Sequence, residues 1–133
     1  MTSQEVIPQS IFTAKTKTME KAAIARSFST GNFKPCYPYL SDATVWDTPG
    51  QQTLKGASEI VPFCEKIRDY FDSITTDFRI LHVLENDNSV VVNGTATFIR
   101  EDVVISEVAS CDIYIFNEDN TIASLYSYCV KTK

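Results

Sequence analysis

Val108-Ala109-Ser110-Cys111-Asp112-Ile113-Tyr114-Ile115-Phe116, followed by Asn117-Glu118-Asp119-Asn120 and then Thr121-Ile122-Ala123-Ser124-Leu125, is the stretch on which the fold turns. β-Branched and aromatic residues fill the first run, a polar cluster interrupts it, and an apolar run resumes. That is the pattern of two antiparallel strands joined by a turn. If Asn117 and Asn120 flank a two-residue turn, Asp112 faces Leu125, Tyr114 faces Ala123 and Ser110 faces Ser127. On the other face Cys111 then meets Tyr126, and Ala109 meets Tyr128. Asp112 shares its face with Val108, Tyr114, Phe116, Leu125 and Cys129. Aspartate is depleted in strands, and a buried carboxylate is costly unless it is paired, hydrogen-bonded or neutral. Withdrawal of water by such neighbours raises its pKa, which makes Asp112 the candidate functional residue. The plain alternative is an aspartate on a solvent-facing edge, or one held by a structural hydrogen bond.

Outward from this stretch, turn signals divide the second half into strands over about 77–86, 89–100, 103–116 and 121–131. The breaks are Asn86-Asp87-Asn88, Glu101-Asp102 and the 117–120 cluster. The face of strand 89–100 stays open. With a tight turn at Glu101-Asp102, Val91, Asn93, Thr95 and Thr97 share the Asp112 face. One bulge exchanges them for Val92, Gly94, Ala96 and Phe98. Toward the N-terminus, Ile60, Phe63, Ile67, Tyr70, Phe71 and Ile74 recur at steps of three and four, predicting a helix over Ser58–Ser73. Before it, Asp42–Asp47 alternates, with Ala43, Val45 and Asp47 on one side and Thr44 and Trp46 on the other. This predicts a strand ended by the turn chemistry of Asp47-Thr48-Pro49-Gly50. Pro35 and Pro38 restrict residues 32–41 to a short helical turn. An apolar stripe of Met19, Ala22, Ala23, Ile24, Ala25 and Phe28 predicts a first helix from about Thr13 to Thr30, closed by Gly31. The order is helix, turn, strand, helix, then an antiparallel meander. It reads as an α+β domain over residues 13–133, with helices on one face of a curved sheet, after a flexible segment 1–12.

Composition excludes several classes. The chain has 133 residues, 44% hydrophobic and 22% charged, enough for one domain with its own core. A net charge of −5 without basic runs argues against nucleic acid as a partner. No apolar run approaches the ~20 residues that span a bilayer, and the start lacks the pattern of a signal peptide. A cytoplasmic location with no membrane partner is the expectation. Cys36, Cys64, Cys111 and Cys129 form no close pair and His82 is the only histidine. Reduced thiols, no metal and no cofactor are therefore expected. His82 reads as a half-buried strand residue rather than a base, and Tyr126 and Tyr128 as packed on a sheet face.

Ser41-Asp42-Ala43-Thr44-Val45-Trp46-Asp47-Thr48-Pro49-Gly50, then Leu54-Lys55-Gly56-Ala57-Ser58-Glu59-Ile60, resembles the ketosteroid isomerase and SnoaL-like branch of the nuclear transport factor 2-like superfamily. Asp112 through Ile122 resembles that family's late strand, turn and final strand. The resemblance covers about residues 13–131. It implies a cone-shaped α+β fold that encloses an apolar pocket, and a homodimer through the sheet. It is specific for the fold rather than the reaction. It implies that Asp47 matches the family's proton-shuttling carboxylate and that Asp112 matches the carboxylic acid that donates a hydrogen bond to an enolate. Ile24 stands where the family's oxyanion tyrosine would be, and Cys64 near that tyrosine's partner. An authentic steroid isomerase is therefore not the expectation. Tyr39 matches a further family tyrosine. Tyr39, Trp46, Val108, Tyr114, Leu125 and Cys129 make up the expected ligand-binding set. The expected function is binding of a small, largely apolar molecule with isomerase- or dehydratase-type proton transfer. The alternative is a ligand-binding or dimeric accessory protein without chemistry.

Overall fold

Helix α1 (Lys21–Ser29) forms because Ile24, Ala25 and Phe28 line one buried stripe. A computed structural model describes residues 18–133. The segment 1–12 and the first residues of the expected helix lie outside the described residues. Met19 and Glu20, expected inside the helix, precede it, and Glu20 is extended at φ −77°, ψ 157°. Their backbone is engaged elsewhere: Met19 N–H donates to the Tyr39 hydroxyl at 2.7 Å, and Met19 C=O accepts from Asn120 Nδ2 at 3.1 Å. Gly31 ends the helix at φ 83°, and a Cβ there would stand 2.9 Å from the Phe71 ring. A 3₁₀ turn (Lys34–Tyr39) follows, as the two prolines require. Helix α2 (Ala57–Asp72) buries Ile60 and Cys64 and packs Phe63, Ile67 and Phe71 against the core.

Six strands complete the α+β fold: β1 (Val45–Thr48), β2 (Gln52–Lys55), β3 (Thr75–Glu85), β4 (Ser89–Arg100), β5 (Val103–Phe116) and β6 (Ile122–Lys131). They form one sheet in the order β2-β1-β6-β5-β4-β3. Only the β1–β6 contact is parallel. Two details differ from the expectation. β1 starts at Val45, because Ser41 and Thr44 use their side chains to fold residues 41–44 into a local turn. β2 went unforeseen because Pro49-Gly50 is the tip of a hairpin and not the end of strand pairing, with Asp47 opposite Thr53.

The registers decide what faces the interior. Asp112 pairs with Ser127, and Tyr114 with Leu125. Both pairings are two residues away from those expected. The turn is longer than two residues: Asn117 N–H donates to Thr121 C=O at 2.8 Å, Asn120 takes φ 68°, and the ladder is irregular between Ile115 and Phe116. A slip of two preserves the faces, since side chains alternate with period two, but it changes every partner. Between β4 and β5 the bulged alternative holds. Ile105 is the extra residue between the pairs Phe98–Ser106 and Ile99–Val104, so Val92 faces Asp112. Glu101 and Asp102 both have positive φ, 51° and 65°, as a primed hairpin turn requires. On the far side Leu81 is unpaired between Ile80–Gly94 and His82–Asn93. A Cβ at Gly94 would collide with the Arg79 carbonyl.

Candidate functional site

Between the sheet, the end of α1 and the inner face of α2 lies a cavity of about 270 Å³. Its walls are largely apolar, and Phe28, Trp46, Phe63 and Phe71 all contribute. Trp46 is held edge-on by Phe28 (centroids 5.1 Å, 75°) and Phe63 (5.5 Å, 76°). β4 supplies Val92, Ala96 and Phe98, and the mouth carries Thr48, Gln51 and Gln52. Among the described residues Asp112 is the only acidic one in the lining, and Arg79 the only basic one. The Arg79 guanidinium is turned to the surface, 3.0 Å from the Asp77 carboxylate.

Asp112 ends one hydrogen-bond chain and faces a second hydroxyl across the ladder. Ser29, from the last turn of α1, donates its hydroxyl to Oδ2 at 2.7 Å. The Tyr114 hydroxyl lies 2.6 Å from Ser29 Oγ. On the other side the Trp46 indole N–H donates to Ser127 Oγ at 2.9 Å, and Ser127 stands directly across the ladder from Asp112, where its hydroxyl holds the carboxyl pKa down. Burial pushes the Asp112 carboxyl above the usual carboxylate range, and the two serine hydroxyls pull it partly back. Burial, then the neighbouring Asp112 charge, pushes the Tyr114 phenol well up. Burial lifts the Cys36 and Cys64 thiols to about 11 and about 12, and all four cysteines are free.

Trp46, Val108, Asp112 and Cys129 meet at the cavity. Tyr114 and Leu125 lie beneath the wall, fully buried. The Tyr39 hydroxyl is occupied by the Met19 backbone. Asp47 does not join Asp112. Its neighbours Trp46 and Thr48 line the cavity while Asp47 does not, and it accepts a hydrogen bond from Thr53 Oγ1 at 3.0 Å on the exposed hairpin. Alternation along β1 is the reason: with Trp46 inside, Asp47 points outward. Ile24 and Cys64, where the resemblance would place tyrosines, are wholly buried. His82 is exposed, not half-buried, with Nδ1 2.8 Å from Asn93 Oδ1.

Ser29 and Ser127 were missed from sequence. Ser127 emerges as the partner of Asp112 only when the 117–121 turn is read as five residues and Ala123 as a bulge beside it. Nothing local to Ser29, 83 positions from Asp112 in the chain, announces its role.

No family model and no curated sequence matches this chain. Among solved structures it is similar to a nuclear transport factor 2-like protein of unknown function from Cytophaga hutchinsonii. The two are 31% identical over 81% of this chain and 94% of that one, with a TM-score of 0.72. It is also similar to an LEH-like epoxide hydrolase of M. tuberculosis (13% identity, 83% and 82% covered, TM-score 0.62). A protein of the SnoaL-like family from Agrobacterium tumefaciens (14%, 84% and 99%, 0.60) has the same fold.

Proposed function

This chain belongs to the nuclear transport factor 2-like family, and from that premise we propose that it binds a small, largely apolar molecule in its cavity, anchored by Asp112. The observation that carries this reading is one half-buried carboxylate opening into a wall of aromatic and aliphatic side chains. Ligand sites have that composition: mostly apolar lining with a few polar groups that set orientation. At about 270 Å³ the cavity lies near the lower end of the ~300–1,000 Å³ range of small-molecule pockets, which favours a small ligand. Proton transfer between two carboxylates draws no support from the placement of Asp47. A group that moves a proton must come within hydrogen-bond reach of it, directly or through one water. Binding without chemistry is the reading that the site supports best.

Trp46, the only tryptophan, stands in the wall. Its fluorescence therefore tests the reading directly. Titration with phenol and with other single-ring alcohols and amines should change Trp46 emission saturably. A strictly linear response to all of them would overturn the proposal.

The same reading includes a homodimer through the outer face of the sheet. Tyr128 and Val130 of β6 are exposed there at 47% and 64%, the apolar area that a second copy would cover. Sedimentation equilibrium should return twice the monomer mass of 14.9 kDa, and a monomer would remove the dimer from the proposal.

A further inference from the structure

We infer that the cavity is built for an amine: the ligand carries an ammonium group that sits on Asp112 and an apolar, ring-sized body that lies among Phe28, Trp46 and Phe63. This rests on the ligand-binding reading above and names the chemical class of its ligand. The direction of the hydrogen bonds at Asp112 is the first argument. An indole N–H can only donate, so Ser127 Oγ accepts from Trp46 and its own proton is free for Asp112. Tyr114 is fully buried, and Ser29 is its hydroxyl's partner. Were Ser29 to donate to Tyr114, the phenolic proton would be left in the core without an acceptor, which costs more than the bond returns. Tyr114 therefore donates to Ser29, and Ser29 donates to Asp112. The Tyr114–Ser29 chain ends on the carboxylate as acceptor, and Ser127, which accepts from Trp46, keeps its own proton for the carboxylate across the ladder. Asp112 lines the cavity, and in its ionised form the carboxylate offers only acceptors there, so the ligand group that matches it is a donor.

Charge is the second argument. Among the described residues the ion pairs are Arg68–Asp72 and Arg79–Asp77, and neither includes Asp112. A carboxylate withdrawn from water with hydroxyl partners but no cation is left to be matched by whatever binds. Two surroundings reinforce the preference. The last turn of α1, Ser29 with Thr30 and Gly31 beyond it, forms part of the wall, and a helix C-terminus carries partial negative charge that favours cations. Phe28, Trp46 and Phe63 also line this space, and an aromatic face attracts an organic cation through its quadrupole. A carbonyl or carboxylate ligand would set acceptor against acceptor.

The test is calorimetric titration of the whole chain with 2-phenylethylamine, 2-phenylethanol and phenylacetate, three single-ring probes that differ in the polar end. The amine should bind at least about tenfold tighter than the alcohol, as a hydrogen bond between charged groups outweighs a neutral one. Phenylacetate should bind most weakly. In Asp112→Asn the amine preference should disappear while alcohol binding persists. If the alcohol or phenylacetate binds as well as the amine, the amine inference falls and the ligand-binding reading stands. If none of the three binds, both fall. The order of the three affinities in the unaltered chain decides the sign even if the variant does not fold.

Discussion

Ser127 stands directly across the β5–β6 ladder from Asp112, and its hydroxyl accepts the Trp46 indole N–H at 2.9 Å. One small side chain thus ties the wall of the cavity to its acidic group. Ser127→Ala leaves that N–H buried without a partner and should destabilise the fold by about 1–3 kcal/mol. It also removes the hydroxyl across the ladder that holds the Asp112 carboxyl down, so that group should titrate still higher. Urea unfolding checks the first effect, and carboxyl NMR titration the second. An unchanged midpoint would mean that Trp46 finds another acceptor.

The raised carboxyl of Asp112 has a consequence for pH dependence. The folded chain holds this proton more tightly than the unfolded chain, where an aspartic acid titrates near its ordinary value of about 3.9. Unfolding releases the proton between the two values, so stability falls as pH rises through that window and then levels off. This is the reverse of a salt-bridged aspartate. Asp112→Asn lacks the ionisation. Its melting temperature relative to the parent should therefore rise as pH is taken upward from about 4, and parallel melting curves at every pH would contradict the placement.

Asp47→Asn removes only an acceptor for Thr53 on an exposed hairpin. Stability should change by no more than about 0.5 kcal/mol, and affinity for a single-ring ligand should not change. A tenfold loss of affinity would show that Asp47 does act at the cavity.

Gly94→Ala places a methyl group against the Arg79 carbonyl, where β3 carries the unpaired Leu81. Backbone cannot move aside as a flexible side chain can, so the variant should lose about 1–3 kcal/mol. Denaturant unfolding measures this, and ligand affinity should fall with it, because Gly94, Arg79 and Ile80 also line the cavity. A fully stable Gly94→Ala would mean that the bulge can shift.

What was legible in the sequence is what local periodicity controls. Side-chain alternation along a strand is a property of its own backbone, so Asp112 could be set on a face with Val108, Tyr114 and Cys129, and Trp46 opposite Asp47, before any contact was known. The Trp46/Asp47 alternation already contradicted a cavity role for Asp47, since one strand cannot point both residues to the same side. The helical stripes and the Gly31 terminus were local in the same sense. Register was not. Whether Asp112 meets Leu125 or Ser127 depends on how the 117–121 turn closes and on the bulge beside it, and whether Val91 or Val92 faces it depends on one extra residue at Ile105. Turns and bulges of this kind are settled by which closed sheet buries the most apolar surface while pairing its backbone, a sum over the whole fold. The arrival of Ser29 at Asp112 from the end of α1 is equally non-local. The sequence by itself determined all the strands but β2, the helices apart from their ends, the faces of these elements and the anomalous carboxylate. Only the tertiary structure decided that carboxylate's partners, because they come from chain segments that no short-range pattern connects.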